Sequence, residues 1–493
     1  MPFSQFIRGA CAGALIALAL GSCGGGSDDS TVRVAVIGRP ADLWQHGSEL
    51  PAAAALVRGA TAPGLVSLDE QGQVTPGLAD RWIVDDDGLS YLFRLRDGTW
   101  PDGSRITAET ARAALRQRLT DLRRTPLELD LLAIDDVRVM TGRVLEITLI
   151  RPQPDLLQIL ALPELGLDRK GKGASFMRVL RGEGVAVLTP LNPEKLGLPS
   201  VDDWDQRAQK VRLLAMDAAV AARLFHAGKV DLMTGGTYRD LAEARVGPLS
   251  RSTLQFDPVA GLFGLKVLHE DGFLADPANR EAIAMSIDRT ALAGLFEQAN
   301  WAPTTHILPA GLADAQPPGR ERWDGLVLAA RQALAVARVT RWRAAGHDRP
   351  VLRLAMAGGP GAAALFDRLA ADLRQVGLDA VQVAPDAPAD LALVDRVAAY
   401  PRAAWYFHQL SCGGEREVCS KEADALFAQA EAEPQPQQSA LLLAKAEAAL
   451  EAANVFIPVG QPLRWSLVTR DANGFAVNRL GYHPLMPLAL RQK

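Results

Sequence analysis

Pro76-Gly77-Leu78-Ala79-Asp80-Arg81-Trp82, followed by Asp87-Gly88-Leu89-Ser90-Tyr91-Leu92-Phe93-Arg94-Leu95-Arg96-Asp97-Gly98 and then Trp100-Pro101-Asp102-Gly103-Ser104, is the stretch from which the fold is best read. Ile83-Val84 and the turn Asp85-Asp86-Asp87-Gly88 separate its first two parts. Leu89, Tyr91, Phe93 and Leu95 recur at every second position, the period of a strand with one buried face, so the two parts predict a β-hairpin. Thr107 then stands where a helix needs its N-cap, ahead of Ala108, Ala111, Leu115 and Leu119 on one helical side.

Working outward, Val32–Ile37 is a β-branched run and predicts a buried first strand. Asp217 caps a helix carrying Val220, Leu224 and Phe225, Gly228 stops it, and Val230–Met233 reads as the next strand. Asp276-Pro277 opens another helix, a cap followed by proline at the first helical position. Val351–Met356, Ala362–Val376 and Ala380–Ala384 read as strand, helix and strand, with Gly377 ending the helix; such a crossover implies parallel pairing. Two Ala-rich helices, at 421–432 and 437–453, precede a strand at Val455–Val459. The class is α/β from end to end.

At 493 residues the chain has room for two or three domains. A net charge of −4, with no long run of one sign, lacks the footprint of a nucleic-acid binder. Arg8 precedes an apolar stretch, Gly9–Leu20, shorter than the roughly 20 residues a bilayer span needs and suited to a signal-peptide core. Leu20-Gly21-Ser22-Cys23 resembles a lipobox, whose cysteine thiol takes diacylglycerol as a thioether. Residues 1–22 are therefore expected to be a lipoprotein signal peptide and 23–30 a flexible tether, leaving the chain exported to the cell envelope or periplasm and lipid-anchored at Cys23. The alternative is an ordinary secretory signal with an incidental cysteine.

Cys11 lies in that signal, so Cys412 and Cys419 remain, flanking Gly413-Gly414. In an exported chain they are expected to form a disulfide; zinc would need two further ligands, and only His408 is near. The seven histidines (46, 226, 269, 306, 347, 408, 483) are scattered, with no pair at helical ligand spacing, and no hydrolase or nucleotide-binding motif occurs. Gly171-Lys172-Gly173 reads as a basic surface loop. Gly358-Gly359-Pro360-Gly361 reads as a tight turn between strand and helix, or alternatively as amides facing an anion. No catalytic residue, metal or cofactor is predicted, and the chain is not expected to be an enzyme.

With the lipobox, residues 76–109 resemble the family 5 extracellular solute-binding proteins, the oligopeptide-, dipeptide- and nickel-binding components of bacterial ABC importers. Ala227-Gly228-Lys229-Val230-Asp231, the run from Asp276 to Arg289, and Phe456-Ile457-Pro458-Val459 through Gly474-Phe475 are similar to further stretches of that family. The resemblance implies a two-lobed periplasmic binding protein-like fold of type II with an extra domain inserted in the first lobe. Lobe I would be 31–60, 186–258 and 461–493, the inserted domain 61–185, and lobe II 259–460. It further implies a monomer that captures a peptide or peptide-like small molecule between its lobes and delivers it to ABC permease subunits. The alternative is a receptor that no longer serves transport, acting as a sensor or folding aid.

Peptide binders of the family often hold the ligand's α-ammonium with an aspartate shortly before the disulfide. Counting back from Cys412, Ala398 falls at that place, while Asp395 comes three residues early, where a strand would point it to the other face. The segment carries Arg396 and Arg402 instead, and a planar guanidinium suits a carboxylate. The expected ligand contacts are therefore Arg396 or Arg402 for a carboxylate and Trp405 and Tyr406 for the ligand body, with Asp395, Tyr400 and Phe263 beside them. The competing expectation is that the arginines are solvated and the aromatics are core. Two departures from the family, Phe263-Gly264-Leu265-Lys266 and Gly182-Glu183-Gly184-Val185-Ala186, weigh against ordinary free-peptide binding. A nickel chelate is less favoured, since only His408 is close.

Overall fold

Tyr91, Phe93 and Leu95 are all buried, as their period of two requires, on the middle strand Ser90–Leu95 of a four-stranded antiparallel sheet. Its neighbours are Ala79–Val84 and Val144–Leu149, with Ile134–Thr141 at the far edge. Thr107 caps the helix Ala108–Asp121, which covers this sheet, by accepting from the Thr110 N–H. Arg96, at the end of the hairpin, is buried and donates to the carbonyls of Gly77, Ala174 and Leu196, so one side chain ties three segments together.

The computed structural model describes residues 31–47, 49–244, 253–296, 301–317, 319–413, 418–470 and 472–491. The expected signal peptide, the tether and Cys23 lie outside the described residues. Among those residues, no helix is long and apolar enough to cross a membrane.

Two larger sheets stand beside the first. One runs in the order Met177–Gly182, Val185–Pro190, Lys210–Met216, Thr31–Ile37, Leu232–Gly236, Trp465–Val468, Leu254–Phe256. Its central strand, Thr31–Ile37, pairs in parallel with both neighbours, which explains why Val34, Ala35 and Val36 are all buried rather than alternating. The other runs Asp379–Val383, Val351–Ala355, Leu391–Val397, Gly261–Val267, Phe456–Gly460. Its parallel pair Val351–Ala355 and Asp379–Val383 is joined by the helix Pro360–Gln375, the crossover unit read from the sequence.

The chain passes between these sheets at 257–260 and again at 461–464, two short adjacent segments. They are stitched to each other: Asp257 N–H donates to Arg464 O at 3.0 Å and Gly261 N–H to Gln461 Oε1 at 3.1 Å. The arrangement is two α/β lobes on a two-segment connection, with the four-stranded sheet as a third body.

One expectation is corrected. The boundary placed at 185/186 cuts the hairpin Met177–Gly182/Val185–Pro190, both strands of which belong to the seven-stranded sheet, where Met177, Ala186 and Leu188 pack into its core. The glycines at 358–361 form the short turn between strand Val351–Ala355 and helix Pro360–Gln375. A Cβ on Gly361 would lie 2.0 Å from the Tyr238 carbonyl oxygen, so this helix start is packed on backbone of the opposite lobe.

Candidate functional site

A cavity of about 430 Å³ opens where all three bodies meet. The first lobe contributes Glu49, Leu50 and Ala55, the four-stranded body Leu162–Glu164, the second lobe Asp395–Ala399, Trp405 and Gln409, the second crossing Arg464, and the C-terminal segment beyond it Leu480 and Tyr482. Strand Leu391–Val397 delivers Asp395 and Arg396 because it ends at this junction, and helix Ala403–Leu410 then turns Trp405 and Gln409 back toward it.

Arg396 is half-exposed; its guanidinium donates to Gln409 Oε1 at 2.8 Å and lies 3.3 Å from the exposed Glu49 carboxylate across the cleft. Such a solvated pair contributes little by itself. Asp395 does face the cavity, contrary to the expectation that it points away, but Arg464 Nη1 holds both its oxygens, at 2.9 and 3.1 Å. Ala398 places no carboxylate where the family resemblance leads one to seek it. The opposite wall does carry one: burial raises the Glu164 carboxyl above its ordinary range, against the pull of its own backbone N–H and of Arg58. Burial likewise raises the Tyr482 phenol, with the charge of Glu164 adding to it.

The other expected contacts are divided among different surroundings. Trp405 is buried with one side on the cavity and its ring edge-on to Tyr406, centroids 4.9 Å apart. Tyr406 and Tyr400 line a smaller chamber of about 190 Å³, which shares Ala398 with the lining of the main cavity. Tyr406 is fully buried and its hydroxyl has no partner among the described residues. Arg402 does not reach the main cavity: its Nε pairs with Asp155 Oδ2 at 2.5 Å, joining the second lobe to the four-stranded body. Phe263 is core, packed edge-on against Tyr238, Trp301 and Phe296 at 5.1, 6.0 and 6.5 Å between centroids. It sits in mid-strand, paired on both sides, and its ring is buried within that aromatic cluster rather than exposed to the cavity. Cys412 and Cys419 are joined as a disulfide.

Beside the cavity, Asp130 is completely buried and accepts on one oxygen from Tyr400 Oη and His408 Nδ1, both from the second lobe. Burial first, and then the charge of Asp130, push the Tyr400 phenol well up. Together with Arg402–Asp155 and Arg151–Glu431, at 2.8 Å, this fastens the four-stranded body to the second lobe along one side of the cleft.

Sequence reasoning missed Glu49, Glu164, Arg464 and Tyr482. Each comes from a segment remote from the 395–408 stretch, and only Arg464, in the second crossing, adjoins a motif that had been singled out.

A family model for bacterial extracellular solute-binding proteins, family 5 Middle, matches residues 73–415. The probable deoxycholate-binding periplasmic protein YgiS of Escherichia coli (strain K12) is 31% identical over 200 residues, 34% of this chain and 37% of that protein. The periplasmic murein peptide-binding protein MppA of the same strain is 25% identical over 285 residues, 50% of this chain and 51% of that one. The matched stretches thus span between a third and about half of these relatives. Among solved structures, Haemophilus influenzae OppA in complex with RPPGFSPFR superposes with a TM-score of 0.79 at 15% identity, covering 94% of this chain and 99% of that one. The E. coli MppA structure gives 0.79 at 18% identity, covering 94% and 98%, whereas its unliganded open form gives 0.62, covering 94% and 97%.

Proposed function

Because the chain belongs to the family 5 bacterial extracellular solute-binding proteins, we propose that it captures a small peptide or peptide-like carboxylate in the cavity between its lobes and passes it to an ABC permease. One observation carries the ligand assignment: Arg396, on the cavity wall, is held among the described residues by Gln409 and by an exposed carboxylate from the facing lobe. A ligand carboxylate would displace Glu49 and take two parallel hydrogen bonds from the guanidinium. Its apolar body would lie against Trp405, Leu50 and Leu480, and a cationic group against Glu164. Murein peptide and deoxycholate, after which two similar E. coli proteins are named, both carry a carboxylate, which supports the reading. Lobe closure would then bury the ligand and present the closed form to the permease. The lipid anchor at Cys23 would hold the receptor at the membrane, and Cys23→Ala should release it from the membrane fraction.

The test is a thermal-shift screen followed by calorimetric titration with short peptides, murein peptides and bile acids. A true ligand at a hundred times its Kd adds about 2.7 kcal/mol of stability, an obvious saturable rise in melting temperature. Arg396→Ala should then weaken binding by about tenfold or more, the value of a charged hydrogen bond. Unchanged affinity in that variant would sink the assignment of Arg396. No saturable ligand in any class would favour a receptor without transport duty.

A further inference from the structure

A second constellation lies in the second lobe, sharing no residue with the cleft. Helix Pro436–Ala453 carries Glu447 and Glu451, four residues apart and therefore on one face. His306 arrives from a segment that runs along the edge strand Phe456–Gly460, tied to it by Thr304 N–H donating to Val459 O at 3.2 Å. His306 Nδ1 stands 3.2 Å from Glu451 Oε1, and Leu308 N–H donates to Glu447 Oε1 at 2.8 Å. One donor atom from each of His306, Glu447 and Glu451 lies within 4.8 Å of the other two, on the wall of a cavity of about 280 Å³.

Two features of this cluster are costly without a further group. A carboxylate only accepts, so His306 Nδ1 carries the proton toward Glu451; Nε2 is then left buried, with no partner among the described residues. A buried polar atom without a partner loses its hydration for nothing. Burial also raises the Glu447 carboxyl to about 7, a sign that its negative charge is poorly compensated where it stands. Arg322 is close enough to feel Glu451, but its hydrogen bonds go to Glu281 and Asn454.

We propose that His306, Glu447 and Glu451 form a binding site for a divalent transition cation of the zinc class. One imidazole nitrogen and two carboxylate oxygens are a donor set that Zn²⁺ takes at about 2.0–2.2 Å, with donor atoms roughly 3.3 Å apart. The three groups would reach that spacing by side-chain rotation, since all three already line one cavity. The cation would neutralise Glu447, give His306 a partner, and cross-link the helix to the 304–308 segment. The histidine and the two glutamates are about 140 residues apart, which is why no ligand spacing appears in the sequence.

The full chain, stripped with EDTA, is titrated with ZnCl₂ by calorimetry, with melting temperature read in parallel. One equivalent should bind and raise the melting temperature saturably. X-ray absorption at the zinc edge should show nitrogen and oxygen donors with a single imidazole. His306→Gln and Glu447→Gln should each weaken that equivalent by about tenfold or more. Glutamine at 447 keeps an acceptor for Leu308 N–H, so circular dichroism and the metal-free melting temperature check that the fold is retained. Absence of a saturable equivalent, or one whose affinity is unchanged in both variants, overturns the proposal, because the zinc would then sit on surface groups such as His347.

Discussion

Replacing Asp130 by alanine should destabilise the protein by about 3–5 kcal/mol, the usual cost of removing one member of a buried charged network. The figure follows from the contacts. Asp130 has no exposed surface, and one of its oxygens accepts from both Tyr400 Oη and His408 Nδ1. Hydrogen bonds to a charged group contribute about 1.5–3 kcal/mol each, and their loss also strands two buried donors. The second oxygen has no partner among the described residues, which offsets part of the gain and favours the lower end. Asp130→Asn, which keeps a neutral acceptor, should cost about half as much. Tyr400→Phe should cost about 1.5 kcal/mol alone but much less on top of Asp130→Ala, a coupling of 1 kcal/mol or more in a double-mutant cycle. Urea unfolding followed by tryptophan fluorescence gives the midpoints. Hydrogen exchange in helix Ala403–Leu410 reports whether the loss is local to this junction or global. A coupling below about 0.5 kcal/mol, or an alanine variant within about 0.5 kcal/mol of the parent, would refute the view that Asp130 fastens the two bodies.

Two further outcomes follow from the geometry. Gly460→Ala would place its Cβ 1.9 Å from Trp301 Cζ2, so it should cost about 1–3 kcal/mol by overpacking; Gly142→Ala, with no atom within 4 Å of the added carbon, is the control, and equal unfolding midpoints for the two would contradict the packing. In EDTA, Glu447 binds a proton up to about pH 7 in the folded chain but only to about 4.5 when unfolded, so the folded state holds more protons between those values. Stability should therefore fall as pH rises from about 4.5 to about 7, by up to about 3 kcal/mol, and then level. His306, held up first by its hydrogen bond to Glu451, contributes stability that is likewise lost as pH rises above its ordinary range. Glu447→Gln should flatten the acid part of that slope, as read from denaturation midpoints across pH; an unaltered slope would assign it to other groups.

The connection between the lobes is bonded within itself and to the cleft wall. Residues 257–260 and 461–464 are bonded to each other, and Arg464 of the second crossing also grips Asp395 on the cleft wall. Arg464 thereby ties the second crossing to strand Leu391–Val397, which carries Arg396.

Local signals were enough for much of the architecture. The alternation at 89–95, the caps at Thr107, Asp217 and Asp276, the strand–helix–strand unit at 351–384 and the cysteine pair all report interactions between residues close in sequence, and all appear in the structure as read. Physical chemistry of this range is written into periodicity and composition, because a strand face or a helix cap is decided within a few residues. The cleft is of another kind. Trp405 and Arg396 could be picked from their segment, but nothing local distinguished them from Arg402, which pairs with Asp155, or from Phe263, which is sealed in an aromatic cluster. Glu49, Glu164, Arg464 and Tyr482 enter the same cavity from four separate stretches of chain. The sequence thus determined which elements form and which face of each is buried. Which charge pairs with which, and which of them line the cavity, was decided only when the three bodies packed, because those partners come from separate stretches of the chain.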